Sequence, residues 1–374
     1  MKIIHTADIH LDSKLGGMDG ARASERRNEL IGTFIKMVQY GAQNSVSAII
    51  IAGDLFDVRI ISATARNAVY QAIVDNPEIR FYYLCGNHDS GGFLEPIMEK
   101  YKKLPDNLFM FGEEWTSYEI EGEDCGSVVI TGAELSRENN QKLADSLLLD
   151  RNKINIVTLH GQETETAKKK DAEVIPIREY RDRGIDYLAL GHIHAPKIEK
   201  LDARGKYSYC GCLEGRGFDE CGPRGFNLLS IDKNGVEAEF IPFAKRTVFD
   251  ICVDVSGCVN SDEALTEISK IAAAEGVTED DLLKVRLSGK VSAYAEFDRD
   301  YIEDRLSEKY YYTRVADETS VFIDYNDFAG DNSLKGEYVR YIGELREKGE
   351  ITEEEAGRCI SLGIRLILGE EKLS

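Results

Sequence analysis

A layered α/β protein with a smaller second unit is predicted from three features of this 374-residue chain. Short apolar, β-branched runs alternate with amphipathic helical patterns up to about residue 245. Each of five such runs is followed by a small cluster of Asp, Asn, Gly and His. The strand-and-helix pattern then restarts near residue 248 and closes on two helical stretches. Alternation of this kind builds sheets covered by helices, and ligands in such domains gather at the carboxyl ends of the strands.

The elements follow in order. Ile3-Ile4 reads as a buried strand leading to Asp8. Leu30, Ile31, Phe34, Met37 and Val38 mark one face of a helix running to about Gln43. Ala48 to Ile51 is a strand before Asp54, and Ala65 to Val74 is a helix. Phe81 to Leu84 precedes Asn87, a helix covers Gln141 to Leu149, Ile154 to Val157 precedes His160, and Tyr187 to Leu190 precedes His192. The strand patterns Lys206 to Cys210, Phe226 to Ile231 and Val236 to Ile241 close a first domain over 1–245. A compact α+β module over 246–327 follows, with strands at Phe249 to Val255, Leu282 to Leu287 and Tyr311 to Val315. Its helices are Glu263 to Ala274 and Arg299 to Lys309. The segment 328–374 carries two more helices, Leu334 to Leu345 and Glu353 to Leu368, the second opening on three glutamates that suit a helix's first turn.

Composition narrows the function classes. The chain is 43% hydrophobic with only 7 prolines, and it shows no repeat or low-complexity tract. Its apolar runs are too short to cross a membrane and its start has no signal-peptide pattern, so a cytoplasmic, soluble protein is expected. The eight cysteines are scattered and read as free thiols. Cys210, Cys212 and Cys221 crowd one loop but lack a fourth zinc ligand nearby, so buried thiols are the better reading. A net charge of −21 counts against wholesale nucleic-acid binding, which rests on Lys and Arg. Contact with DNA would therefore need a local basic face or a partner.

The histidines carry the chemistry. All six lie within the first 194 residues, and five sit in Asp8-Ile9-His10, Gly86-Asn87-His88-Asp89, His160-Gly161 and Gly191-His192-Ile193-His194, with Gly53-Asp54-Leu55-Phe56-Asp57 between them. Seven side chains are candidate metal ligands: Asp8, His10, Asp54, Asn87, His160, His192 and His194. Imidazole, carboxylate and amide together suit Mn²⁺, Fe²⁺ or Zn²⁺. A shared carboxylate would let two divalent ions sit about 3.5–4 Å apart and clamp a phosphate ester. Asp8 and His10 would share one side of an extended segment, as would His192 and His194.

These blocks, D-x-H, G-D-x-x-D, G-N-H-[DE], H-G and G-H-x-H, occur in the order that defines the calcineurin-like metallophosphoesterases, and the chain resembles that family. The flanks His5 to Asp12, Ile51 to Asp57 and Leu190 to His194 are similar to the SbcD-type nucleases. The resemblance implies an α/β/β/α sandwich with a capping domain. It implies one ion on Asp8, His10, Asp54 and His194, and a second on Asp54, Asn87, His160 and His192, with Mn²⁺ the leading choice. It makes His88 the group that steadies or protonates the leaving oxygen and Asp89 the residue that orients its ring. The implied activity is hydrolysis of DNA phosphodiester bonds in exonuclease fashion, a hydroxide bridging the ions attacking phosphorus. The implied partners are DNA and an SbcC-like coiled-coil ATPase at the final helices. A homodimer stays open. No G-x-x-x-x-G-K-[ST] loop occurs, so ATP dependence would come from another chain.

Blander readings stand beside these. His5 reads as a core histidine. Asp12 and Asp57 are outer groups of the site or solvated loop carboxylates. Lys168-Lys169-Lys170 is a phosphate-tracking patch or a solvated face. Arg216 lies near substrate or in a structural glycine turn, and the apolar positions of the last two helices dock a partner or pack on each other. In substrate class the alternative is a phosphatase or phosphodiesterase for nucleotides or other small phosphoesters. An interaction module that uses the fold without catalysis is the reading outside enzymes.

Overall fold

The first strand, Lys-Ile-Ile-His-Thr, is buried at every residue but the first, as a strand covered on both faces must be. The computed structural model describes residues 1–57, 61–89, 97–98, 103–136, 139–165, 173–292, 295–322, 325–328 and 330–368. The chain divides into two units, Met1–Thr247 and Val248–Ser374. In chain order the first contains β1 (Lys2–Thr6), α1 (Gly20–Gln43), β2 (Ala48–Ala52), α2 (Ala63–Val74), β3 (Arg80–Leu84), β4 (Leu108–Met110), β5 (Thr116–Gly122) and β6 (Gly126–Gly132). Then come α3 (Asn140–Ser146), β7 (Ile154–His160), β8 (Gln162–Thr164), β9 (Val174–Pro176), β10 (Tyr187–Gly191), β11 (Lys197–Lys200), β12 (Lys206–Tyr209), β13 (Gly225–Asp232) and β14 (Gly235–Pro242).

Two six-stranded sheets result, ordered β14-β13-β1-β2-β3-β4 and β11-β12-β10-β7-β6-β5. β1 to β4 pair in parallel, and so do β6, β7, β10 and β12. Side chains alternate across each strand, which sorts the apolar residues into three layers. Ile3, Ile50, Tyr82 and Leu84 meet Val128, Ile130, Ile156, Tyr187 and Ala189 between the sheets. Ile4, Ile49, Ile51, Phe81 and Tyr83 pack on Leu30, Phe34 and Met37 of α1 and Val69 and Ile73 of α2. Val157, Leu159, Leu188 and Leu190 are covered by Leu143 and Ala144 of α3 and by Ile177 and Tyr180 of a 3-10 turn. The layer order is helix, sheet, sheet, helix, the sandwich that the resemblance implies.

Local chemistry sets the element ends. Asp19 Oδ1 accepts from the backbone N–H of Ala21 and Arg22 and so caps α1. Ser62 caps α2, and Asp12 in turn accepts from Ser62 N at 2.6 Å and from its hydroxyl at 2.9 Å. Asp12 therefore belongs to the start of α2. The third helix stops at Ser146, short of the expected Leu149. Leu147 turns extended and stays buried, while Leu148 is exposed as the chain swings toward β7.

The second unit contains β15 (Val248–Asp254), α4 (Ser261–Ala274), β16 (Leu282–Ser288), β17 (Lys290–Ser292), α5 (Arg299–Ser307), β18 (Tyr312–Asp317), β19 (Ser320–Phe322), α6 (Leu334–Glu347) and α7 (Glu353–Leu368). The expected strands and helices of the module are present. Its three long strands pair in parallel as β15-β16-β18, a βαβαβ arrangement that spacing alone left undetermined. The last two helices pack on each other through Val339, Ile342, Ala356, Ile360 and Ile364, with Val321 of β19 against them. Tyr341, Leu362, Leu366 and Ile367 remain exposed.

A buried charge network ties α1 to the loop after β12. Arg26, fully buried, donates to Glu29 Oε2 at 2.9 Å, to Glu214 Oε2 at 2.5 Å and to the Gly215 carbonyl at 2.8 Å. Thr33 Oγ1 and Lys245 N reach Glu214 Oε1, each at 2.6 Å, and Arg246 reaches Glu29. Removing one member of such a set leaves an uncompensated buried charge, at a cost of about 3–5 kcal/mol. Glu214→Ala is accordingly expected to destabilise the first unit by about 3 kcal/mol or more. Urea unfolding followed by tryptophan fluorescence checks this, since Trp115 packs within that unit.

Candidate metal centre

Because the strands that carry the clusters run parallel, their carboxyl ends open at one edge. His160 and Gly191 are register partners on β7 and β10. The loops after β1 and β2 lie side by side: Asp8 N donates to Gly53 O at 3.0 Å, His10 N to Asp54 O at 3.0 Å and Leu11 N to Leu55 O at 2.9 Å. The expectation that Asp8 and His10, or His192 and His194, share an extended segment is not met. β1 ends at Thr6 and β10 at Gly191. Asp8, His10, Asp54 and His192 then take left-handed backbone angles, with φ of 50°, 49°, 51° and 99°. Such conformations cost non-glycine residues about 1–3 kcal/mol each and persist where surrounding structure imposes them. Here they turn successive side chains into one spot. Gly53 (φ 96°) and Gly86 permit the close approach, since a Cβ would lie 2.1 Å from His160 Nδ1 in the first case and 2.2 Å from Asp54 Oδ1 in the second.

Asp54 is at the middle. Its Oδ1 accepts the His88 backbone N–H at 2.8 Å. Its Oδ2 lies 3.3 Å from His160 Nε2 and 3.7 Å from His10 Nε2, and all three side chains are almost wholly buried. His10 Nε2 is 3.2 Å from His194 Nε2, and His160 Nε2 is 3.0 Å from Asn87 Oδ1. The buried Asp8 accepts the His192 backbone N–H on both oxygens, at 2.9 and 3.0 Å. The rings of His160 and His192 meet edge to face at 5.4 Å. Three sets of ligand atoms gather within 4.8 Å among the described residues: Asp8 with His10 and His194, Asp8 with Asp54 and His160, and His10 with Asp57 and His88.

The far nitrogens decide what the near ones can do. His160 Nδ1 meets the Ala52 carbonyl at 2.9 Å and His194 Nδ1 meets Glu220 Oε1 at 2.6 Å. His10 Nδ1 faces Asp57 Oδ1 at 3.3 Å. With the ring protons on those sides, each Nε2 presents a lone pair inward, as metal-binding imidazoles do. Lone pairs of His160, Asp54 and Asn87 then point at one another, as do those of His10 and His194. Only a cation or a proton relieves that arrangement, so the donor set fits a pair of divalent ions.

The ionisation states follow. Burial pushes the Asp8 carboxyl up to about 6, with the charge of Asp54 adding to the rise against nearby imidazoles. Burial would also raise Asp54, but the His160 hydrogen bond and charge outweigh it and hold that carboxyl low. His160 is the counterpart: burial disfavours its cation, yet Asp54 and Asp8 raise it above the ordinary histidine range. His194 is likewise raised by Glu220 against burial, whereas burial lowers His10 and His192.

His88 stands at the surface of this cluster, 48% exposed, with Nδ1 3.0 Å from Asp57 Oδ1. The place behind the His88 ring that was expected of Asp89 is thus filled by Asp57. The Asp89 carboxylate instead accepts backbone N–H groups of Phe56 (2.9 Å), Gly86 (3.0 Å) and Leu55 (3.2 Å), clasping the two loops together. Burial raises it to about 6. His5 is a core residue, its Nδ1 2.9 Å from the Tyr187 hydroxyl.

Sequence reasoning missed Glu220, which is buried behind His194. Arg216 holds it with a side-chain contact of 2.8 Å and a backbone N–H of 2.6 Å, and also approaches Asp57 Oδ2 at 3.6 Å. Ser13 completes the set, donating to Asp57 Oδ2 at 2.7 Å. Only the Arg216-x-x-x-Glu220 spacing on a glycine-rich loop hinted at this pair. Cys210, Cys212 and Cys221 are free thiols, and among the described residues no cysteine enters a ligand cluster. Lys168 to Lys170 lie outside the described residues.

The family model described as calcineurin-like phosphoesterase matches residues 1–196. Among curated proteins the chain is 26% identical over 274 residues to the DNA double-strand break repair protein Mre11 of Aeropyrum pernix, covering 68% of this chain and 64% of that protein. The Mre11 of Haloferax volcanii is 25% identical over 297 residues, covering 77% and 62%. The uncharacterised metallophosphoesterase YhaO of Bacillus subtilis is 26% identical over 303 residues, covering 77% and 69%. The matches thus span under two thirds of the length of both Mre11 proteins.

The raised His160 predicts a linkage. An ordinary imidazole, with a pKa near 6.5, is mostly neutral at pH 7.5, but His160 keeps its proton there until an ion displaces it. Mn²⁺ binding at pH 7.5 should therefore release the His160 proton, with the likewise raised His194 adding to the release, and affinity should rise with pH above neutrality. Titration calorimetry in two buffers of different ionisation heat measures the release. Binding with no proton released would show that His160 is already neutral.

Proposed function

The chain belongs to the calcineurin-like phosphoesterases, and from that membership we propose a dimetal phosphodiesterase that hydrolyses DNA, exonuclease-like and related to the SbcD group. The observation that carries the dimetal reading is the position of Asp54 Oδ2 between His10 Nε2 and His160 Nε2. One ion is assigned to Asp8, His10, Asp54 and His194, the other to Asp54, Asn87, His160 and His192, with Mn²⁺ the first metal to test. Two divalent ions held there supply charge neutralisation at the phosphate and a water of lowered pKa.

The chain's own groups do the rest. Asp57 Oδ1, 3.0 Å from His88 Nδ1, is the carboxylate placed to hold a proton on that nitrogen, which would leave Nε2 to protonate or steady the departing oxygen. Asp89 and Asp8 brace the loops through backbone N–H groups, which keeps Asp54 and His192 in place. His88 reaches the substrate side because it alone of the cluster's imidazoles is about half exposed. DNA as substrate is supported by the Mre11 relatives, each named for DNA double-strand break repair. The overall charge of −21 makes a partner part of this proposal. The exposed apolar residues Tyr341, Leu362, Leu366 and Ile367 on α6 and α7 are offered as the seat of an SbcC-like coiled-coil ATPase. No helix of the described residues is long and apolar enough to cross a membrane.

Linear DNA incubated with the purified protein and Mn²⁺ should be degraded. Asp54→Asn should lower the rate by about 10³-fold or more, and His88→Gln by about 10²–10⁴-fold, the usual worth of a general acid. Turnover of small phosphodiesters with intact DNA, even with an ATPase partner added, would replace the nuclease reading with the small-phosphoester one.

A further inference from the structure

The two halves of the metal centre are supported differently. Behind His194 stands a carboxylate, Glu220, at 2.6 Å. Behind His10 stands another, Asp57, at 3.3 Å. Arg216 joins them, reaching Glu220 Oε1 at 2.8 Å and Asp57 Oδ2 at 3.6 Å, and His10 and His194 touch through Nε2 at 3.2 Å. The five side chains close a ring: His10, Asp57, Arg216, Glu220, His194. Glu220 is 3% exposed and His10 1%, so the ring is shielded at these two members, while His194, Asp57 and Arg216 are partly open to water.

Among the described residues, the other half has no hydrogen-bonded carboxylate behind its imidazoles; the exposed Glu173 acts on His192 through charge alone. His160 is backed by the neutral Ala52 carbonyl. Among the described residues the His192 ring makes no hydrogen bond. Asn87 is a neutral ligand and an exposed one. A carboxylate behind an imidazole both orients the ring and makes it a better donor to a cation, and losing such a partner typically weakens metal binding 10–100-fold. A carbonyl orients without adding charge.

We propose that Glu220, clamped by Arg216, is a positioning residue that makes the two ion positions unequal. The position built on His10 and His194 retains its ion, and the position built on Asn87, His160 and His192 exchanges. Occupancy of the exchanging position, set by the concentration of free divalent ion, then switches the enzyme on. This rests on the dimetal reading above and is independent of what the substrate is.

The test is Mn²⁺ titration of the metal-stripped full chain, read by calorimetry and by electron paramagnetic resonance. Wild type should take up two ions in steps at least tenfold apart, the first with the spectrum of an isolated ion and the second bringing spin coupling. Glu220→Gln, nearly isosteric, should weaken the first step 10–100-fold and leave the second within about twofold, so that the steps merge. Asn87→Ala, at an exposed position, should weaken the second step alone. Two equal steps in wild type, or a Glu220→Gln change that leaves the first step unmoved, would overturn the proposal while leaving the dimetal reading intact. Failure of wild type to bind two ions would instead overturn the dimetal reading beneath it. Conservation of the thermal unfolding midpoint in Glu220→Gln separates loss of positioning from loss of fold.

Discussion

One carboxylate oxygen governs the arrangement of the first unit's working edge. Asp54 Oδ2 faces two buried imidazoles, His10 and His160, while Asp54 Oδ1 is occupied by the His88 backbone. A negative charge so far from water is tolerable only with compensating cations or donors. The surrounding imidazoles supply part of that compensation, and the far nitrogens of His160 and His194 are already engaged. The demand for positive charge at this point explains why so many lone pairs converge there.

Bringing those side chains together needs departures from regular backbone. Four residues of the cluster adopt positive φ, and glycines stand wherever a Cβ would strike His160 or Asp54. The cost of these turns is met by the rigid parallel strands beneath them and by Asp89, whose carboxylate grips three backbone N–H groups from two loops. Strain of this kind is stable only on an over-determined scaffold. The two-sheet sandwich provides it, with the central strands of both sheets buried on each face.

The loop after β12 links stability to chemistry. Glu214 anchors it to α1 through Arg26 and Thr33, and a few residues later Arg216 and Glu220 project toward His194 and Asp57. The imidazoles are therefore oriented by a segment that is itself held by a buried ion network on the outer face of the first sheet. Side chains remote from the substrate thus fix the angle at which a ligand meets an ion.

Much of this was legible in the residues themselves. The apolar runs and the helical spacing of Leu30, Phe34 and Met37 located strands and helices, because burial imposes its period on sequence. The Asp, Asn and His clusters marked the strand ends, because few chemistries need those residue types together. What sequence could not decide was anything set by contact across the fold. Asp57 and Asp89 sit in adjacent motifs and look alike as carboxylates, yet one lies against His88 and the other braces backbone. Glu220 is 26 residues from His194 and lies in no motif, so only the folded loop reveals it. The left-handed turns at Asp8 and His10 were likewise invisible, since an aspartate or histidine carries no sign of the backbone angle its neighbours will force on it. Sequence determined which groups are available, and the tertiary structure decided which of them touch, because partners in a buried polar cluster are chosen by distance and not by order along the chain.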